Sequence, residues 1–104
     1  MKLVLAVVQD KDWPRLQAAL TRQGFRVTKL SSTGGFLRQG NTTLFVGTED
    51  SRVDSIIEIV RETCRSREQY VDASVSGQDA DMPVKVVIGG ATLFVVALER
   101  MERI

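Results

Sequence analysis

The chain has 104 residues, carries 14 Lys and Arg against 13 Asp and Glu, and holds no histidine. That length makes one domain burying roughly two thirds of its unfolded surface, and the near-neutral balance argues against nucleic acid or an anionic membrane as a partner held by bulk charge. Without histidine the commonest general base and metal ligand is missing; one cysteine and no apolar run near the ~20 residues of a membrane span suggest a cytoplasmic setting with no membrane contact.

Leu3 to Val8 is an unbroken apolar run, short and β-branched, which predicts a central strand buried on both faces. Asp12 offers a cap for a helix with Pro14 in its first turn; Trp13, Leu16, Ala19 and Leu20 share one face and Gly24 supplies the stop. A second strand is expected from Phe25, its alternation projecting Arg26 and Thr28 from one face. Between Thr28 and Thr43 runs a polar, glycine-rich stretch with its loop at 33–41, longer than a plain reversal needs. Thr42 to Gly47 predicts a third strand. Asp50 or Ser51 would cap a second helix striped by Val53, Ile56, Ile57, Val60 and Cys64. The polar segment 65–83 reads as a longer mobile loop. Val84 to Ile88 and Thr92 to Leu98 are strand patterns split by Gly89-Gly90, which implies either a hairpin turn or a bulge in one long strand.

Two βαβ-like halves suggest an α+β fold, the ferredoxin-like βαββαβ sandwich with both helices on one sheet face. The strands at 3–8 and 93–98 are apolar on both sides, so the second face needs a cover. Packing against identical copies, as in a ring of three, would provide it.

The glycine-rich loop lacks the Gly-Lys-Ser/Thr of a P-loop and leads into a strand, so nucleoside triphosphate hydrolysis is not indicated. Gly34-Gly35 can still converge backbone N–H groups on an anion, with Thr28, Thr33 and Asn41 as further donors and Arg26 or Arg38 as a forked cation. Phe36 offers a base a stacking surface. Alternatively, Phe36 and Leu37 tuck under the loop as a satellite core and the glycines serve turns alone. From the residues both accounts stand. Cys64, on an apolar helix stripe, reads as a small buried hydrophobe rather than a nucleophile. The pairs Glu49-Asp50 and Asp79-Asp81 read as caps or solvated tips, so no metal site is expected.

Val8-Gln9-Asp10, the run from Phe25 to Leu30, Thr33-Gly34-Gly35-Phe36-Leu37-Arg38, Gly40-Asn41-Thr42-Thr43, Arg52-Val53-Asp54, Arg67-Glu68-Gln69 and Gly89-Gly90-Ala91-Thr92 together resemble the PII-like cyclic di-AMP receptor family over nearly the whole chain. The resemblance implies a single PII-like domain over 1–104 and a homotrimer with one cyclic di-AMP per intersubunit cleft. It also implies signal transduction to an unknown downstream protein through the loops, without enzymatic activity or cofactor. Carried over by position, Arg26 and Thr28 would contact phosphate or adenine, while Gly35, Phe36 and Leu37 would wrap a base. Asn41 would hydrogen-bond the ligand, Gly47 would allow close backbone approach, and Phe94 would line the pocket from the last strand. The chain departs from the family at Gly24, where an asparagine touches the nucleotide, and in a shorter 65–83 segment. It departs again at the C-terminus, where Arg103 replaces an aromatic and glutamine ending. These departures leave a second expectation, a PII-like interaction module that binds a different nucleotide or none.

Overall fold

The computed structural model describes residues 1–30, 40–71 and 84–104. Its elements are β1 (Lys2–Gln9), α1 (Trp13–Arg22), β2 (Thr28–Leu30), β3 (Asn41–Thr48), α2 (Val53–Cys64), β4 (Arg67–Val71), β5 (Val84–Ile88) and β6 (Ala91–Ala97). Short 3-10 turns at Asp10–Asp12 and Asp50–Arg52 lead into the two helices. Four strands form an antiparallel sheet in the order β2-β3-β1-β6, with β1 in the centre as its apolar run predicts. With the β4–β5 pair set aside, the connection is βαββαβ with the first and third strands central, the ferredoxin-like arrangement expected from the two halves.

Alternation along the strands decides which face meets the helices. Val4, Ala6 and Val8 of β1 and Leu44 and Val46 of β3 are fully buried against Leu16 and Leu20 of α1 and Ile56, Val60 and Cys64 of α2. Both predicted helical stripes therefore form the core. The opposite face of β1 is half-buried rather than buried, because no element among the described residues covers it. On that face the register sets Thr28, Phe45, Leu5 and Phe94 in one row across all four strands, and Val96 stands opposite Leu3. Phe94 and Val96 are 50% and 44% exposed.

Helix α1 ends in a Schellman motif. The N–H of Phe25 donates to the carbonyl of Leu20 at 3.0 Å and that of Gly24 to Thr21 at 3.0 Å, with Gly24 at φ +86°, a conformation glycine adopts without steric cost. Phe25 is then drawn into the core, 6% exposed, which delays the second strand from its expected start at Phe25 to Thr28.

Neither expected carboxylate cap forms. Asp12 precedes α1 but makes no capping hydrogen bond. Its Oδ1 accepts from Arg67 Nη2 at 2.9 Å and Arg15 Nη2 at 3.2 Å, since charge-assisted bonds to guanidinium outcompete a neutral amide. Asp50 instead lies 3.1 Å from the Met1 amino nitrogen and 3.9 Å from Lys2 Nζ.

The segment 65–83, expected as a loop, begins instead as strand β4. Arg67 to Val71 pairs with Val84 to Ile88 in a separate two-stranded antiparallel ribbon; the remainder of that segment, 72–83, lies outside the described residues. The strand forms because β5 offers it a complete set of backbone partners and because Arg67 is pulled to Asp12. Gly89-Gly90 is neither a hairpin turn between β5 and β6 nor a bulge within one sheet. It is a corner at which the chain leaves one sheet and joins the other, with φ values of +81° and +90°. The Gly89 N–H donates to Gln9 Oε1 at 2.8 Å, and the Gly90 N–H to the carbonyl of Cys64.

A Cβ on Gly89 would stand 2.6 Å from the Arg65 carbonyl oxygen and 3.1 Å from that of Cys64. Backbone cannot retreat as a side-chain tip can, and positive φ adds its own strain. Gly89→Ala should therefore lower unfolding free energy by about 1–3 kcal/mol. Urea denaturation reads this directly, and an unchanged midpoint would contradict the clash.

Candidate ligand site at the β2 edge

The Gly24 exit places the residues that follow it along the sheet edge. Arg26 and Thr28 are exposed, while Val27 between them packs on the core. Thr28 stands opposite Phe45, and the same register carried two residues back sets Arg26 beside Gly47. Arg26, Thr28 and Gly47 line one cavity of about 360 Å³, together with Gly24, Phe25, Phe45, Thr48, Arg52, Met101 and Arg103. Three of the residues expected to bind a ligand are thus brought together by geometry alone.

Gly47 is exposed, and a Cβ there would meet no protein atom within 4 Å. Its φ is not in the left-handed region, so neither backbone nor packing within this chain requires glycine. The room it leaves opens into the cavity, which fits the close approach expected of it.

Sequence reasoning passed over Arg52 as a site residue. It lies in the turn before α2 and reaches the cavity through topology. Its guanidinium sits 4.1 Å over the Phe25 ring and donates from Nη2 to the Gln23 carbonyl at 2.8 Å. Stacking and that hydrogen bond hold its plane in place. No local signal marks Arg52, because what selects it is a helix end 29 residues earlier. Arg103 arrives on the C-terminal tail, which leaves β6 through a bond from the Leu98 N–H to the Met1 carbonyl at 3.1 Å. Among the described residues no carboxylate forms an ion pair with Arg26, Arg52 or Arg103.

The other expected residues lie elsewhere. Asn41 is at the far end of β3, roughly 20 Å along the strand from Gly47, in a separate depression lined by Gln9, Asp10, Lys11 and Gly40. There the Asp10 N–H donates to the Gly40 carbonyl at 2.9 Å, and Thr42 Oγ1 donates to Asp10 Oδ1 at 2.6 Å. Phe94 is on the opposite edge strand, in the same row as Thr28 but three strand spacings away, about 14 Å. Gly35, Phe36 and Leu37 lie outside the described residues.

A further cavity of about 260 Å³ between α2 and β6 is lined by Cys64, Val60, Leu93 and the stems of Arg61 and Arg65. Burial pushes the Cys64 thiol above its ordinary pKa, with the Thr63 hydroxyl acting in the opposite sense. A protonated, buried thiol is a poor nucleophile, in keeping with its expected part as a core residue. Among the described residues no group of His, Cys, Asp and Glu could hold a metal ion, and no helix is long and apolar enough to cross a membrane.

Two comparisons bear on these features. A crystal structure of a functionally unknown protein from Pediococcus pentosaceus ATCC 25745 is 42% identical to this chain and superposes with a TM-score of 0.81, over 99% of this chain and 96% of that one. A family model described as cyclic-di-AMP receptor matches residues 1–104. With its edge cavity, its ferredoxin-like sheet and a family match from end to end, the chain belongs to the cyclic-di-AMP receptor family.

Proposed function

We propose that this protein is a non-enzymatic, cytoplasmic signal transducer that binds cyclic di-AMP between the subunits of a homotrimer. The observation that carries the proposal is the placing of Arg26, Thr28 and Gly47 in one cavity at the β2 edge while Phe94 stands exposed at the β6 edge. The two edges belong to opposite sides of one sheet, so a ligand touching both Thr28 and Phe94 fits best between two copies. Contact between unlike edges is heterologous, and a heterologous contact with the right rotation closes into a ring. Such a ring also covers the open apolar face around Leu5, Phe94 and Val96.

The ligand chemistry matches the lining. Arg26 supplies a fork for a phosphodiester, Thr28 a hydroxyl donor and acceptor, and Gly47 the space for a purine or ribose to lie on backbone. Phe36, which lies before β3 in the sequence, is the proposed stacking platform for a base.

A route from ligand to arm runs through the turn after β1. Gly40 and Thr42, which follow the ligand loop, are bonded to Asp10. Its neighbour Gln9 holds Gly89, and Asp12 holds Arg67 at the root of β4. A ligand acting on Gly40 and Thr42 would thus act on Asp10, between Gln9 and Asp12, the two residues that hold the β4–β5 ribbon side, and the ribbon's face with exposed Tyr70 and Val87 suits a downstream protein.

Calorimetry with cyclic di-AMP tests the binding: heat is expected at micromolar ligand, and none at ~100 μM would favour an interaction module without this nucleotide. Gly47→Ala should fold normally, since a Cβ there meets no protein atom within 4 Å, yet weaken binding by about tenfold or more, 1.4 kcal/mol. Light scattering should return three times the 11.5 kDa chain mass, and a single chain's mass would sink the trimer.

A further inference from the structure

Three arginines from three separate parts of the chain line the edge cavity. Arg26 comes from the segment entering β2, Arg52 from the turn before α2 and Arg103 from the C-terminal tail. No described carboxylate forms an ion pair with them. Arg52 is fixed by its stack on Phe25 and its bond to Gln23. Arg103 is delivered by a tail whose Met101 lines the same cavity.

A cyclic dinucleotide carries two phosphodiesters and two negative charges. Opposite three cations it leaves one unmatched, and like charges gathered without a counter-charge repel. The ring-opened, 5′-phosphorylated linear dinucleotide keeps one diester and gains a terminal phosphate of about −1.5 to −2 at neutral pH, close to three charges in all. Its terminal phosphate also presents three acceptor oxygens to forked donors, where a diester presents two.

We propose that Arg52 and Arg103 are specificity-determining residues that fit this cavity to the linear, 5′-phosphorylated dinucleotide at least as well as to the cyclic one. The inference rests on the proposal that a dinucleotide binds at this edge, and the protein then reports on both a cyclic messenger and its hydrolysis product. Arg103 supplies the third charge, and Arg52 presents its own from a plane fixed by Phe25 and Gln23.

Calorimetry on the full chain with cyclic di-AMP and with linear 5′-phosphoadenylyl-adenosine decides it. The linear form is expected to bind as tightly as the cyclic form or tighter. R103Q, on an exposed tail, should weaken the linear ligand about fivefold or more while changing the cyclic ligand less, and R52K, which keeps charge but loses the fork, should do the same. Binding of the cyclic form with no heat from the linear one overturns the inference and leaves the parent proposal standing. Equal losses for both ligands in R103Q and R52K overturn it too. Binding of the linear form alone overturns the parent proposal and with it the report on both ligands, and no heat from either overturns both.

Discussion

The structure turns on one buried carboxylate. Asp12 is 1% exposed and sits where the chain passes from β1 into α1. An ionised carboxylate removed from water costs several kcal/mol unless charge and hydrogen bonds replace its hydration. Arg15 and Arg67 supply them, while Oδ2 remains without a hydrogen bond. Arg15 is local, three residues along the same helix. Arg67 is the first residue of β4, so burying Asp12 and rooting the β4–β5 ribbon are one event. Arg67 also donates from Nη1 to the Arg65 carbonyl at 3.1 Å, which ties the exit of α2 into the same cluster. Arg15 reaches the Thr63 carbonyl from the other side. The end of α2, the start of α1 and the root of the ribbon thus share one pair of cations.

Because that cluster follows directly on Gln9 and Asp10, the end of β1 is a junction. One side of it holds Gly40 and Thr42 at the entrance to β3, and the other holds Gly89 at the corner before β6. Neither contact alone is large; a neutral hydrogen bond is worth about 1 kcal/mol net. Their value lies in placement: both reach the end of β1, a central strand whose Val4, Ala6 and Val8 are fully buried, and a densely packed interior resists rearrangement.

The elements visible in the sequence are those whose energy comes from near neighbours in the chain. The apolar run at 3–8 and the stripes Leu16-Leu20 and Ile56-Val60-Cys64 each repeat at the period of their element, and they form a central strand and the buried faces of two helices. Strand β4 was hidden because Arg67-Glu68-Gln69-Tyr70 has no apolar alternation; it is held by backbone pairing to β5 and by a carboxylate 55 residues earlier. The same distance explains the misread caps. Asp12 and Asp50 have cap chemistry near the helix starts, yet Arg15 and the remote Arg67 take the first carboxylate and the chain's first two residues take the second. Of the edge site, Arg26 and Thr28 were legible from a strand's period and from the resemblance, and Gly47 from the resemblance alone. Arg52 was not, because nothing in Asp-Ser-Arg foretells a helix end and an aromatic ring waiting beside it.

The two edges of the sheet differ in a way that bears on how copies would meet. The β2 edge is three residues long and wholly exposed, with Thr28 and Lys29 on it and Arg26 beside it. The β6 edge is seven residues long and apolar, with Phe94, Val95 and Val96 exposed in succession. A long apolar edge left open invites pairing with any exposed strand, and two β6 edges brought together would form a closed dimer with both ligand cavities facing outward. A short polar edge weakens that alternative only if it offers something better. In the proposed ring it does: a nucleotide seated on Arg26 and Thr28 presents its own aromatic base to the neighbour's Phe94, turning a polar edge into an apolar one. Ligand and subunit contact then stabilise each other by linkage, since whatever binds the ring and not the free chain favours the ring. In the proposed ring the difference between the edges would make the ligand part of the interface, coupling occupancy of the cavity to the packing of the apolar face.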